Sequence, residues 1–61
     1  MKYQIEYRKD GNEVTIYNNV QLVGKFPNLE EGDPNKGFQA INEDGEARRF
    51  CYWKTVSVIA Q

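Results

Sequence analysis

Apolar and polar residues alternate along most of this chain, and a period of two is the pattern of a β-strand with one buried face. Near the amino terminus, charged or amide side chains separate Tyr3, Ile5 and Tyr7. The Asp-Gly-Asn sequence at 10–12 predicts a turn, because glycine reaches positive φ without a Cβ clash. Alternation resumes over residues 13–17, so this part of the chain predicts a β-hairpin.

A long stretch without strand periodicity follows, over residues 24–37. It contains both prolines of the chain, Pro27 and Pro34, together with several glycines. Proline lacks the backbone donor that a central strand requires, so this segment predicts a loop. Residues 28–31 are its one candidate for a helical turn, and no other helix is predicted.

Three further strands are predicted in the second half of the chain. Residues 37–42 form a strand, which the turn at 43–46 connects to a long strand over 47–53 that is apolar on both faces. Residues 55–60 form the last strand. Two hairpins, a long loop and a closing strand predict one all-β domain over 1–61, a small five-stranded barrel of SH3-like or Sm-like kind. Closing the sheet removes exposed edges, which are a hazard in so small a chain.

The small size of the chain limits the core that it can bury. A chain of 61 residues buries only about 60% of its unfolded surface. Its single cysteine, Cys51, excludes an intrachain disulfide, and the aromatic residues around it predict a buried structural thiol. Small domains often gain stability by oligomerisation, so a homodimer is a further expectation. The side chains predicted to be mostly buried are Ile5, Val14, Ile16, Phe50, Val56 and Val58.

The residue types that most enzyme active sites need are missing. The chain has no histidine, which excludes Ser-His and Cys-His nucleophile pairs. A lone thiol cannot supply the four ligands of a typical zinc site. The acidic residues at 30–33 and 43–46 do not follow the spacing of a calcium-binding loop, and the scattered glycines form no phosphate-binding loop. We therefore predict a non-enzymatic domain with no metal and no cofactor.

The chain also lacks the patterns of export and membrane insertion. Its first residues alternate in polarity, unlike the apolar stretch of a secretory signal, and no segment approaches the roughly 20 apolar residues of a membrane span. A free cysteine suits a reducing compartment. These patterns predict a cytoplasmic protein without a membrane partner.

Basic and aromatic residues are interleaved over 48–54, Arg-Arg-Phe-Cys-Tyr-Trp-Lys. Arginine binds phosphate through a planar fork, and aromatic rings offer faces on which nucleic-acid bases stack. Together with a basic residue of the first strand, this segment supplies the candidate ligand-binding residues: Arg8, Arg48, Arg49, Trp53 and Lys54. The alternative is an ordinary core strand, with Trp53 in the core or in an interface and the arginines paired to the acidic turn before them.

Acidic and basic residues are unevenly distributed, although the net charge is only −1. Residues 28–46 carry six carboxylates and one lysine, whereas the rest of the chain carries seven basic and three acidic side chains. A basic face for an anion follows if the fold keeps these segments apart, and solvated strand faces would produce the same counts. The near-neutral total disfavours tight binding to duplex nucleic acid, which draws on many phosphate contacts.

Two stretches of the chain together resemble WYL-type domains. The first is Tyr-Gln-Ile-Glu-Tyr-Arg-Lys-Asp-Gly at 3–11, and the second runs from the strand at 37–41 through the Glu-Asp-Gly-Glu turn into the last strand. The resemblance implies an Sm-like or SH3-like β fold and a regulatory role in sensing nucleic acid or nucleotide ligands. It matches Arg48 to the arginine before the family's phenylalanine and Lys54 to the basic residue after it. The family's Trp-Tyr-Leu is absent, and Lys-Gly-Phe at 36–38 occupies the corresponding position.

Two functions remain open from the sequence. One is a small binding or regulatory module that recognises nucleic acid or a nucleotide through the basic and aromatic residues. The other is a protein-interaction module, of phage or mobile-element type, that docks on a larger host protein and modulates it. A concave surface on which the basic side chains converge would favour an anionic ligand, and a flat aromatic patch would favour a protein partner or a homodimer.

Overall fold

A computed structural model describes residues 1–61 and contains five antiparallel strands in one sheet. The elements are β1 (Tyr3–Asp10), β2 (Glu13–Val23), β3 (Gly37–Ile41), β4 (Ala47–Cys51), a 3-10 turn (Tyr52–Lys54) and β5 (Thr55–Ala60). Their order across the sheet is β4-β3-β2-β1-β5. The predicted all-β fold of two hairpins, a long loop and a closing strand is confirmed. No helix in the structure has the length and apolar character that a membrane crossing requires.

Strand β2 belongs to both halves of the sheet, and its bend curls the sheet into a small, partly open barrel. The two end strands, β4 and β5, do not pair with each other. Its first part pairs with β1 and its last part with β3. Ile5 pairs with Tyr17, but Tyr3, two residues earlier, pairs with Val20, so β2 carries one extra residue at this point. Asn19 in this bulge adopts a φ of 56°, a left-handed conformation that asparagine tolerates. The bulge bends the strand and turns both Tyr17 and Val20 toward the interior.

Aromatic rings fill the centre of the barrel around Phe50, which is 1% exposed. Its ring makes edge contacts with Tyr7 and Tyr17, whose centroids lie 5.0 and 5.1 Å away, and stacks on Phe38 at 5.4 Å. The buried core consists of Ile5, Tyr7, Val20, Phe38, Ala40 and Phe50. The predicted burial of Ile5 and Phe50 is confirmed, and Val58 packs against this core while remaining partly exposed.

The predicted burial of Val14 and Ile16 is wrong, because these side chains are 44% and 45% exposed. Ile16 pairs with Glu6 on the outer face of β1, whereas Tyr17 pairs with the inward-facing Ile5. Side chains alternate between the two faces of a strand, so a strand with apolar residues on both faces can bury either face. Pairing with β1 selects the face that contains Tyr17.

The predicted burial of Val56 is also wrong, since this side chain is 42% exposed. Tyr7 pairs with Thr55, and the preceding residue, Glu6, pairs with Ser57. Val56 is therefore an extra residue without a partner in β1. This bulge turns Val56 to the surface and leaves Thr55 buried beside Tyr7.

Strand β4 is shorter than predicted. It ends at Cys51, and residues 52–54, which were expected to continue it, form the 3-10 turn. Thr55 Oγ1 donates a hydrogen bond of 2.8 Å to the carbonyl oxygen of Cys51, which closes the turn. Trp53 is consequently 58% exposed rather than part of a two-sided apolar strand. Cys51 is a free thiol and is half-buried, where a buried thiol was predicted.

The segment between β2 and β3 is a loop, as its prolines predict. Residues 28–31, the candidate for a helical turn, form a hydrogen-bonded turn and not a helix: the N–H of Glu31 donates to the carbonyl oxygen of Asn28 over 3.1 Å. Leu29 packs against the core from this loop. The helical residues of the structure are therefore those of the 3-10 turn alone.

Tyr7 connects β1 to the end of β4. The backbone N–H of Cys51 donates a hydrogen bond of 3.1 Å to the Tyr7 hydroxyl, which holds the start of the 3-10 turn against β1. Burial raises the pKa of the Tyr7 phenol above its ordinary value of 10.0, and the neighbouring Cys51 thiol adds to the shift. Because the pKa is raised in the folded state, the protonated Tyr7 phenol contributes its full stability below about pH 10. That contribution is lost as the pH rises through the folded-state pKa.

We expect Tyr7→Phe to lower the free energy of unfolding by about 1–3 kcal/mol at neutral pH, because the Cys51 N–H loses its acceptor. The stability difference between wild type and variant should narrow at alkaline pH, because only the wild type carries the phenol that ionises. Urea unfolding at about pH 7 and about pH 11 measures both effects. Tyr3→Phe is the control, since the Tyr3 hydroxyl is bonded only at the surface. A difference that stays constant with pH would contradict the assignment to Tyr7.

Candidate functional site

An open groove of about 470 Å³ lies between the turn of the first hairpin and the 3-10 turn. The residues that line it are Arg8, Gly11, Asn12, Trp53 and Lys54. The structure therefore brings together three of the predicted ligand-binding residues, namely Arg8, Trp53 and Lys54. We call this surface the Trp53 groove.

Pairing of β1 with β5 builds the Trp53 groove. Tyr7 pairs with Thr55, the residue that follows Lys54, so the 3-10 turn ends beside β1. Tyr7 is buried in the core, and the next residue, Arg8, is exposed, as alternation along a strand requires. The hairpin turn borders the groove, with Gly11 at a φ of 61° that favours glycine.

Trp53 provides the aromatic surface of the groove. Its side chain is 58% exposed, although tryptophan is highly buried on average in folded proteins. The Lys54 ammonium lies over the indole, with Nζ 5.4 Å from the ring centroid. This cation–π contact keeps a positive charge beside the aromatic surface. The groove therefore presents an exposed ring and a positive charge side by side.

The lining of the Trp53 groove is positively charged. Arg8 and Lys54 are both basic, and none of the lining residues is acidic. A guanidinium binds phosphate or carboxylate through paired donors, and an ammonium binds the same groups as a compact charge. The structure holds no group of three or more His, Cys, Asp or Glu side chains that could bind a metal ion. The groove thus places two basic side chains beside an exposed aromatic ring.

The two remaining candidates, Arg48 and Arg49, lie outside the Trp53 groove. Arg48 pairs with Ala40, whose side chain faces the core, and Arg49 pairs with the exposed Gln39. Adjacent residues of a strand point to opposite faces, so these two arginines cannot act on one surface. The structure therefore does not bring Arg48, Arg49 and Lys54 together at one site.

Each of these arginines has a different environment. The Arg48 guanidinium lies over the Tyr17 ring, 5.3 Å from its centroid, and borders a smaller cavity of about 130 Å³ that Glu46 also lines. Arg49 donates a hydrogen bond of 2.8 Å to the carbonyl oxygen of Asn35. That bond fastens the long loop to β4. Arg49 therefore has a packing role.

The sequence indicates only a turn at Gly11 and Asn12. They line the groove because the turn begins three residues after Arg8, where β1 ends. The pairing of β1 with β5 then brings this end of the hairpin beside Trp53. The Asp-Gly-Asn sequence signals a turn, but only the pairing of distant strands shows which surface the turn adjoins.

Comparisons of this chain with protein-family models, with curated proteins and with solved structures found no match. The fold assignment rests on the strand order and on the 3-10 turn before β5.

Proposed function

We propose that this domain binds a nucleotide unit in the Trp53 groove, either as a free nucleotide or within single-stranded nucleic acid. One observation carries the proposal: an exposed indole shares a groove with two cationic side chains, and no carboxylate lines that groove. A nucleotide combines a flat base with an anionic phosphate. The two parts match the indole of Trp53 and the cations of Arg8 and Lys54.

The expected energies support a weak to moderate affinity. Stacking of a base on an aromatic side chain contributes about 1–3 kcal/mol in single-strand binding proteins. Arg8 and Lys54 would neutralise about two phosphates, far fewer than the roughly 6–10 contacts of proteins that bind duplex DNA tightly. The chain as a whole carries a net charge of −1, so long-range attraction to a duplex is small. A single strand with accessible bases is therefore the favoured ligand over a duplex.

The resemblance of two segments to WYL-type domains supports the same class of ligand. That resemblance implies a regulatory module that senses nucleic acid or nucleotides without catalysing a reaction. Of its matched basic residues, Lys54 lines the Trp53 groove and Arg48 does not. The proposed role is thus non-enzymatic binding, with Arg8, Trp53 and Lys54 as the contact residues.

We expect a short single-stranded oligonucleotide to change the intrinsic tryptophan emission, because Trp53 is the only tryptophan of the chain. The logarithm of the association constant should fall with the logarithm of salt concentration, with a slope of about −1.4 for two phosphate contacts. A free nucleotide titrated in parallel distinguishes the two sources of the ligand. No change in emission with either ligand at low salt would overturn the proposal and favour the protein-docking function.

Three substitutions separate the contributions of the site. Arg8→Gln and Lys54→Gln should each reduce the salt slope to about −0.7, because one phosphate contact is removed. Trp53→Ala should weaken binding about 5- to 150-fold with little change in slope, because stacking is not ionic. For this variant the anisotropy of a labelled oligonucleotide replaces tryptophan emission as the measurement.

Arg48→Gln is the matched control. It removes the same charge from an exposed arginine that lines the other cavity. We expect its affinity and salt slope to equal those of the wild type. An equal loss in Arg48→Gln and Arg8→Gln would show that overall charge, rather than the Trp53 groove, determines binding.

A further inference from the structure

Strand β5 forms one edge of the sheet. Its only partner is β1, and the hydrogen bonds outside the regular ladder give its outer side no other partner. The N–H of Gln61 donates to the carbonyl oxygen of Lys2 over 2.9 Å, so the backbone of Gln61 points toward β1. In an antiparallel ladder this direction alternates, so Ile59 also points toward β1. The backbone N–H and C=O groups of Val58 and Ala60 therefore point outward, without a partner.

The residues of this edge do not protect it from pairing. Natural proteins usually protect an edge strand with lysine, other charges or proline. The segment Thr55–Ala60 has none of these residues, and it has a high content of β-branched side chains. Val56 and Ile59, which are 42% and 50% exposed, add apolar surface to the same strand. The edge thus offers both unpaired backbone groups and apolar side chains to an added strand.

We propose that a second copy of this chain pairs with this edge, with β5 antiparallel to β5 of the partner about a two-fold axis at Val58. In this register Val58 lies opposite Val58, and Ala60 lies opposite Val56. The outward N–H and C=O groups of the two Val58 residues then bond to each other, and the outward N–H of Ala60 faces the partner's strand. The proposal is independent of the ligand of the Trp53 groove.

The absence of charged side chains on β5 suits a second copy of the same strand as the occupant. Two β5 strands carry no charged side chains, so no like charges meet when they pair. Antiparallel pairing of two β4 strands, at the other edge, would set Arg49 against Arg49, and like charges directly opposite are destabilising. A two-fold contact through β5 also uses the same surface of both copies, so the assembly stops at a dimer.

Sedimentation equilibrium from micromolar to millimolar protein tests the proposal, with a reductant present because Cys51 is a free thiol. We expect a reversible monomer–dimer equilibrium that stops at two copies. Ala60→Pro removes an outward N–H, which an edge strand tolerates, and should raise the dissociation constant at least about tenfold. Circular dichroism and thermal unfolding confirm that the variant is folded.

A second pair of variants keeps the test decisive even if Ala60→Pro does not fold. Ile59→Lys places a charge on the exposed face of the edge strand and should also raise the dissociation constant at least about tenfold. Val23→Lys adds the same charge at a residue of β2 that is 44% exposed, and should leave the constant unchanged. A monomer at millimolar concentration, growth beyond two copies, or a dimer that Ile59→Lys does not weaken would overturn the proposal.

Discussion

Phe50→Ala is expected to destabilise the domain by about 3–5 kcal/mol, the range measured for buried phenylalanines. The side chain is 1% exposed, and its ring contacts the rings of Tyr7, Tyr17 and Phe38. A chain of 61 residues has a total stability of only about 3–9 kcal/mol. The cavity left by this one substitution therefore removes a large share of the stability, and most molecules should be unfolded at elevated temperature.

Urea unfolding followed by circular dichroism measures this effect. Val14→Ala is the control, because Val14 is 44% exposed and surface substitutions usually change stability by less than about 0.5 kcal/mol. An unfolding midpoint for Phe50→Ala equal to that of the wild type would show that the aromatic cluster is not the centre of the core.

Gly37→Ala is the second substitution with a large expected effect. A Cβ at this position would collide with the carbonyl oxygen of Phe50, and it would lie 3.1 Å from the carbonyl carbon and 3.2 Å from Arg49 Cζ. The obstacle is backbone of the paired strand β4, which cannot rotate away as a flexible side chain can. We expect a loss of stability of about 1–3 kcal/mol or more, as for other overpacking substitutions.

Gly32→Ala is the matched control for this prediction. No atom lies within 4 Å of a Cβ built on Gly32, and its φ is outside the left-handed region. The control should change stability by less than about 0.5 kcal/mol, as at other open surface positions. Thermal unfolding of the two variants side by side gives the comparison. Equal midpoints would mean that β3 and β4 are not as close at Gly37 as the structure places them.

The buried face of a strand could be predicted only where the side chains of one face were clearly more apolar than those of the other face. In β1, Ile5 lies between the polar residues Gln4 and Glu6, so its burial followed from the pattern. In β2 both faces carry apolar side chains, with Ile16 on one face and Tyr17 on the other. Pairing with β1 decided between them, because Tyr17 lies opposite Ile5.

The composition of the candidate site could be predicted in part. Trp53 and Lys54 are neighbours in sequence, and their interleaved pattern indicated ligand binding before the structure placed them in one groove. Arg48 was grouped with them on the same grounds, but alternation along β4 turns it toward Tyr17 instead. Residues that are neighbours in sequence can share a site when they lie in a turn. Neighbours within a strand cannot, because their side chains point to opposite faces.

Local chemistry by itself determined the all-β class, the first hairpin and the long loop. These features depend on residues that are adjacent in the chain: Gly11 at a turn that needs positive φ, and Pro27 and Pro34 where a strand would need a donor. Tertiary structure alone decided the register, the bulges and the meeting of Arg8 with Trp53. The bulge of β2 depends on its pairing with β1, and the bulge of β5 and the meeting of Arg8 with Trp53 depend on hydrogen bonds between the first and last strands. Pairing of segments so distant in the chain leaves no periodic signal in the sequence between them.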